Sequence, residues 1–273
     1  MDDERGGARV SFHGTTVAEA EVDAVRYRTV RFDAHHATRP HAHEQAYFCL
    51  VLGGESRQRS VSGERMRRPG SVFFHPAREP HSEQFGAEGG RLFSVELGRD
   101  ALARFGASLP ANASFAVRGR ARSIAARLYL AAQHELSPND AATLTQLLVL
   151  EATRTRETVA PMLRSTWLDA ARAYLDAHYT ANVRLADIAA ASAGVHPVHL
   201  SAAFRRRFGV TITDYVQTLR VERAQRELAR GNKPIADIAL DAGFSSQSHL
   251  TNRFRAETGF TPAAWRALFQ PAR

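Results

Sequence analysis

An internal repeat constrains this chain more than any other feature. Asp187-Ile188-Ala189 recurs fifty residues later as Asp237-Ile238-Ala239. At the same offset His199-Leu200 becomes His249-Leu250, Phe204-Arg205 becomes Phe254-Arg255, and Gly209 and Thr211 become Gly259 and Thr261. Similarity at a fixed offset means two copies of one supersecondary unit. Each copy reads as helix, glycine turn, helix. The spacing predicts helices over 185–192 and 197–208 in the first copy, and over 235–242 and 247–258 in the second. Gly194-Val195 and Gly243-Phe244 stand in the turns, where glycine accepts a backbone that other residues resist. Between the copies, 213–230 reads as one long helix with Tyr215, Val216, Leu219 and Leu228 on its apolar side.

Two helix-turn-helix units on a stiff spacer have a geometric consequence. A helix fits the major groove of B-DNA, about 12 Å wide. Successive major grooves on one face of the duplex lie about 34 Å apart. A spacer of roughly 18 residues is about 27 Å long at the α-helical rise, so both second helices can address neighbouring grooves. Charge points the same way. The chain carries 36 Lys+Arg against 28 Asp+Glu, a net +8. Residues 161–273 hold +6 of that excess and residues 1–160 only +2. A basic segment implies a polyanionic partner.

Three runs carry a specific resemblance: LADIAAASAGVHPVHLSAAFRRRFG, DYVQTLRVERAQRELARG and PIADIALDAGFSSQSHLTNRFRAETGFTPAAWR. With them, 167–269 resembles the DNA-binding domain of AraC/XylS-type transcription regulators. The resemblance implies reading helices over 197–207 and 247–255. The first would present His196, Val198, His199, Ser201 and Ala202. The second would present Ser246, Gln247, Ser248, His249, Thr251 and Asn252. The amides of Gln247 and Asn252 can pair bidentately with adenine. Arg205, Arg206, Arg207, Arg253 and Arg255 suit phosphates, which set register and supply salt-dependent affinity. Leu200, Phe204, Leu250 and Phe254 are read as core, and packing remains an alternative to base contact for His199 and His249. Two departures stand out. Ile188 to Gly194 spans one residue more than Ile238 to Gly243, which predicts a bulge in the first turn. Ser201, Ala202 and Ala203 are small where relatives often carry long polar side chains, which predicts more anchoring than discrimination from the first unit.

The first half has a different texture. RYRTVRF, AYFCLVL, RQRSV, GSVFFH and RLFSVEL are rich in β-branched and aromatic residues and are separated by glycine turns. They predict an antiparallel barrel over about 22–98. Helical periodicity follows over about 101–158, with a break at Ser137-Pro138-Asn139-Asp140. The expected fold is thus α+β in two domains: 1–160, a cupin-like barrel with appended helices, and 161–273, an all-α pair of helix-turn-helix units joined by a long helix. The boundary is expected near Pro161. The appended helices are expected to pack on the barrel or against a second copy, making a homodimer.

Six of the twelve histidines fall between His35 and His81. His41-Ala42-His43, followed by a strand, resembles the first cupin motif. Gly63 to Gly70, followed by His75-Pro76 and His81, resembles the second. Alternating residues on one strand point the same way, so His41 and His43 can both face the barrel interior, with His81 approaching from a neighbouring strand. The glutamate of metal-binding cupins is missing at the expected place near Tyr47 or Phe48, and Glu44 would point away. Three imidazoles still suit zinc or another divalent ion. A metal held by His41, His43 and His81 is one reading, a small organic effector in a pocket with Tyr47, Phe73 and His75 is another, and an empty barrel is the third. No cofactor is required. Cys49 sits in an apolar strand with no flanking cation to activate it, so it reads as a buried, inert thiol.

Composition excludes other classes. Hydrophobics at 44% and charged residues at 23% describe a globular chain. No apolar run reaches the ~20 residues of a membrane span, the acidic start MDDERGGARV does not read as a signal peptide, and one cysteine suits a reducing cytoplasm. The expected function is a ligand-responsive, sequence-specific transcription regulator and not an enzyme, with promoter DNA and RNA polymerase as partners. The competing reading is a metal-dependent cupin enzyme with a helical appendage.

Overall fold

The computed structural model describes residues 14–104, 109, 113–117, 119–134, 136–159, 167–192 and 194–270. The chain divides into two compact units, Met1–Thr155 and Arg156–Ala272. The boundary expected near Pro161 lies outside the described residues.

The first unit contains strands β1 (Thr15–Val22), β2 (Val25–Phe32), β3 (Ala46–Gly53), β4 (Ser56–Ser60), β5 (Gly63–Arg67), β6 (Val72–His75), β7 (His81–Phe85) and β8 (Gly90–Leu97). Helix α1 (Arg99–Arg104), strand β9 (Phe115–Val117) and helices α2 (Ala121–Gln133) and α3 (Pro138–Val159) follow. The strands make two antiparallel sheets in the orders β1-β2-β8-β3-β6-β9 and β5-β4-β7. The barrel does not close into one continuous sheet, but the cupin-like arrangement stands. Strand structure also begins earlier than expected, at Thr15, and enters the region read as wholly helical. There β9 pairs with β6, and the Phe115 ring packs 5.5 Å from that of Phe74.

The larger sheet is apolar on its inner face, where Val30, Phe32, Tyr47, Cys49, Val51, Phe73 and Leu92 cluster with Phe85 of β7. The smaller sheet is polar on its inner face. Alternation along β4 and β7 buries Ser56, Gln58, His81 and Glu83, and Arg67 of β5 joins them. Helix α2 covers the larger sheet and buries Ile124, Ala125 and Leu128. Tyr27 Oη lies 2.9 Å from Thr145 Oγ1, which ties β2 to α3.

The second unit is all helical: α4 (Trp167–His178), α5 (Leu185–Ala191), α6 (Pro197–Phe208), α7 (Ile212–Arg230), α8 (Ile235–Asp241), α9 (Gln247–Thr258) and α10 (Pro262–Phe269). The repeat is visible in its caps. Gly209 and Gly259 close α6 and α9 in the left-handed region at φ 75° and 80°, a conformation that favours glycine. Thr211 and Thr261 then cap α7 and α10 by accepting the backbone N–H of Asp214 and Ala264.

Among the described residues the first turn shows no bulge. Helices α5 and α8 have seven residues each, α6 and α9 twelve each, and every start is offset by fifty. Gly194 N–H donates to Ala189 O as Phe244 N–H donates to Ala239 O. Gly194 therefore occupies the place of Phe244, one position beyond that of Gly243. The glycine has moved while the register has not.

Candidate nucleic-acid interface and barrel interior

Helices α6 and α9 are held by their buried faces. Leu200 and Phe204 pack with Ala171, Leu175, Ile188 and Val216. Leu250 and Phe254 take the equivalent positions in the second copy, where Phe254 packs against Trp265 at 5.9 Å between ring centres. Fixing one face leaves the other outward. On α6 and at its N-cap, His196, Val198, His199, Ala202, Arg205, Arg206 and Arg207 are exposed and Ser201 is half-buried. Val198 is an apolar side chain left 71% exposed at the start of the helix. On α9 and at its N-cap, Ser246, Gln247, Ser248, His249, Asn252 and Arg255 are exposed and Thr251 is half-buried.

Several of these side chains already have partners. His199 packs against Trp167 at 5.8 Å, and His249 packs edge-on to Phe244 at 5.2 Å with its Nδ1 3.1 Å from Ser245 Oγ. His196 accepts the Val198 N–H, and Ser246 accepts that of His249, so they cap α6 and α9. Arg253 donates to Glu257 at 2.7 Å and to Asp214 at 3.3 Å. Its guanidinium is spent on joining α9 to α7, away from the stripe formed by Gln247, Ser248 and Asn252. Arg220 does similar work for the whole unit, donating to the carbonyls of Tyr179 and Ala181.

In the first unit the structure brings His41, His43 and His81 together, with one ring nitrogen of each within 4.8 Å of the others. The route differs from the expected one. His41 and His43 lie outside β3, in the segment before it. That segment runs antiparallel to β7, with His41 and His81 exchanging backbone bonds of 2.9 Å. His41 is half-buried, and His43 and His81 are buried. Tyr47 joins them, its hydroxyl 3.4 Å from His81 Nε2. His75 is buried and stacked on Tyr47 at 4.6 Å. Phe73 lies under Arg67, 5.2 Å from its guanidinium carbon.

The carboxylates are otherwise engaged. Glu44 is exposed and paired with Arg78. Glu83, which sequence reasoning missed, is buried and accepts from Ser56 Oγ and from Arg67 Nη1 at 2.9 and 2.8 Å. Its signal was available: Phe85 of β7 must face the core, and residues two and four positions before it share that face. Glu79 accepts from Ser62 Oγ and the Ser114 N–H. The cavity bordered by Arg67, Glu83, Tyr47, His41, His43 and His81 measures about 20 Å³.

Burial sets the charge states here. Desolvation first, then the neighbouring imidazoles and Arg28, hold His43 at a pKa of about 3. Desolvation, Arg67 and His81 hold His75 at about 3 against the opposing pull of Glu79. Desolvation pushes the Cys49 thiol up to about 11, as an inert buried thiol requires. Both histidines are thus neutral when folded, whereas in the unfolded chain they titrate near the ordinary ~6.5. Below that value the unfolded chain takes up protons that the folded unit refuses. Stability of the first unit should fall as pH drops from about 6.5 towards 3, and be flat above about 7.5. Calorimetry of metal-free protein checks this, and an unfolding transition that stays put between about pH 7 and 5 contradicts it.

Comparison with known proteins matches residues 24–152 to the AraC-like ligand binding domain and residues 189–268 to a helix-turn-helix domain. The chain is 32% identical over 115 residues to the bifunctional transcriptional activator/DNA repair enzyme AdaA of Bacillus subtilis, a match covering 42% of this chain and 54% of AdaA. It is 33% identical over 93 residues to the transcriptional activator AarP of Providencia stuartii, covering 34% of this chain and 68% of AarP. Among solved structures it is similar to ToxT of Vibrio cholerae, at 11% identity and a TM-score of 0.41 over 92% of this chain and all of that one. An AraC-type regulator from Chromobacterium violaceum is 31% identical, with a TM-score of 0.36 over 39% of this chain and 95% of that one. Among the described residues no helix is long and apolar enough to cross a membrane. With a ligand-binding module matched to its strand-rich unit and a helix-turn-helix module to its helical one, the chain belongs to the AraC family of transcription regulators.

Proposed function

We propose that this chain is a sequence-specific, ligand-responsive transcription regulator that reads two successive major grooves of promoter DNA with α6 and α9. The observation that carries the reading is the unbroken fifty-residue register of two helix-turn-helix units joined by a 19-residue helix. At about 28 Å that helix is near the spacing of adjacent grooves. Residues 1–160 form the sensory and dimerising part and 161–273 the DNA-binding part. A cytoplasmic homodimer follows, with Leu147 and Leu150 of α3, 41% and 45% exposed, as apolar contacts for the second copy. Activation through RNA polymerase is the expected sign, in keeping with relatives named as activators. The protein is not an enzyme in this reading.

Gln247 and Asn252 carry base discrimination in the second unit, and Arg205, Arg206 and Arg255 carry phosphate contacts. The first unit, with Val198, Ser201 and Ala202, contributes fewer polar contacts. Selection of bound duplexes from fragmented genomic DNA at physiological salt tests this. One motif with two contact blocks about a helical turn apart is expected. Gln247→Ala or Asn252→Ala should each cost about 1–3 kcal/mol on that motif and little on unrelated duplexes. Binding that is weak and blind to sequence in the presence of a broad metabolite panel overturns the reading.

One observation favours a metal as a second occupant of the first unit. The ring Nδ1 atoms of His41 and His81 lie 2.8 and 2.9 Å from the carbonyls of Arg39 and Glu79. A carbonyl only accepts, so each Nδ1 carries a proton, and in a neutral ring Nε2 is then the atom left to ligate. Ligating imidazoles are commonly held in this way. The donor set that fits is His41, His43 and His81 without a carboxylate, a combination suited to zinc. A bound ion would supply a Lewis-acid anchor for an oxygen-bearing effector.

A further inference from the structure

The geometry points to Arg67 as the seat of an acid group, and we propose that the first unit senses a small carboxylate-bearing molecule held by the inner edge of this guanidinium. The proposal deepens the ligand-responsive reading above and rests on it. Arg67 is 1% exposed. A buried cation needs compensation on every side, and one edge of Arg67 lacks a strong acceptor. Its Nη1 donates to both oxygens of Glu83, and its carbon lies over the Phe73 ring. Nε and Nη2 make no hydrogen bond. The Cys49 thiol lies beside the guanidinium, and a thiol is a weak acceptor.

Those two N–H groups form one edge of the planar fork, with the spacing that matches the two oxygens of a carboxylate. The edge belongs to a residue that borders the cavity shared with Tyr47, His43 and His81. Glu83 cannot turn to satisfy it, because Ser56 and Nη1 hold both its oxygens. Gln58, buried on the neighbouring strand, also leaves its Nε2 donor unmatched. Three donors, Nε and Nη2 of Arg67 and Nε2 of Gln58, thus stand without an acceptor. A wholly apolar ligand would leave these donors stranded, and a neutral amide would bring its own N–H groups to a place already rich in them.

Size narrows the class further. About 20 Å³ is the room of about one water, so an acid head enters at Arg67 only as the lining side chains draw apart, and nothing larger than the head lodges there. The rest of the molecule extends towards the half-buried His41, where the interior meets the surface. A probe that is little more than an acid head is the direct test.

Acetate and its neutral isostere acetamide, each carbon-13 labelled, are titrated into the full-length protein and followed by ligand-observed NMR. Saturable binding of one acetate per chain in the millimolar range is expected, the strength reachable by so few atoms, with acetamide roughly tenfold weaker or worse. Because Arg67→Met alone strands Glu83, the control is Arg67→Met with Glu83→Met, which removes the pair without leaving a bare charge. That protein should still unfold cooperatively and should no longer bind acetate. Absence of saturable acetate binding, equal binding of acetamide, or undiminished acetate binding by the double variant overturns the proposal. The ligand-responsive reading fails separately. It falls if acetate binds at Arg67 and neither acetate nor any larger acid in a panel alters retention of the selected duplex. It survives the loss of this proposal if a neutral compound alters retention.

Discussion

Glu83→Met should destabilise the strand-rich unit by about 3–5 kcal/mol, the cost of leaving a buried charge without its partner. Arg67 is enclosed, and Glu83 is its sole carboxylate partner among the described residues. Methionine fills most of the volume, so the loss is electrostatic and not a cavity effect. Replacing both residues with methionine should recover most of the stability, because the desolvation cost of the pair disappears along with its attraction. Denaturant unfolding followed by near-ultraviolet circular dichroism, to which Tyr27, Tyr47 and Tyr129 of this unit contribute, measures both. Both tryptophans, Trp167 and Trp265, lie in the other unit, so their fluorescence should be nearly unchanged. A double variant no more stable than Glu83→Met would show that the pair is not the source of the loss.

Trp265→Ala should cost the helical unit a similar amount, about 3–5 kcal/mol. Trp265 is fully buried, packs against Phe254, Phe260 and Phe269, and donates Nε1–H to Gln225 O at 3.1 Å. It ties α10 to both α9 and α7. Its removal opens a cavity and takes away an extra bond to a carbonyl of α7, so α9 loses its backing before α6. Specific DNA binding should fall with stability, while the first unit's unfolding stays where it was. Trp265→Phe, which keeps most of the ring volume, should cost much less. If alanine were tolerated with a loss below about 1 kcal/mol, α10 would not be an integral layer of this core.

The helical unit was largely legible in the sequence because its determinants are local. Helical periodicity, the Gly-x-Thr cap pairs and the glycine turns all act within a few residues, and the fifty-residue offset shows them twice. The misread bulge came from treating glycine position as a length marker. Two adjacent positions in that turn take positive φ, at Gly243 and, in the other copy, at Gly194.

The strand-rich unit was legible as alternation but not as pairing. Nothing local to His41-Ala42-His43 says that it will lie along β7, since that depends on a partner some forty residues away. The burial of Glu83 could be read from its alternation with Phe85, but its pairing with Arg67 was hidden for a related reason. A charged residue in a short strand reads as solvent-facing until its partner on another strand is known, and only the pair makes burial tolerable. The three ring nitrogens that converge come from two segments, and the sequence supplied their identities without their route. For the reading helices, sequence named the exposed face, whereas the fold alone revealed that Arg253 is held by Asp214 and Glu257.

Helix α7 runs without a break from one helix-turn-helix unit to the other, and in the proposed reading this turns two modest grips into one bidentate clamp. Once α9 has found its block of bases, α6 searches a volume set by a rigid rod instead of bulk solution, so its engagement is an intramolecular step at high effective concentration. Distance thereby becomes part of the message. A base change within a block subtracts one contact. Half a helical turn of extra DNA between the blocks carries the second block to the opposite side of the duplex, where the rod cannot follow, and removes the whole second grip. On the proposed reading, spacing in the operator is thus read as stringently as its letters, by a helix that need touch none of them.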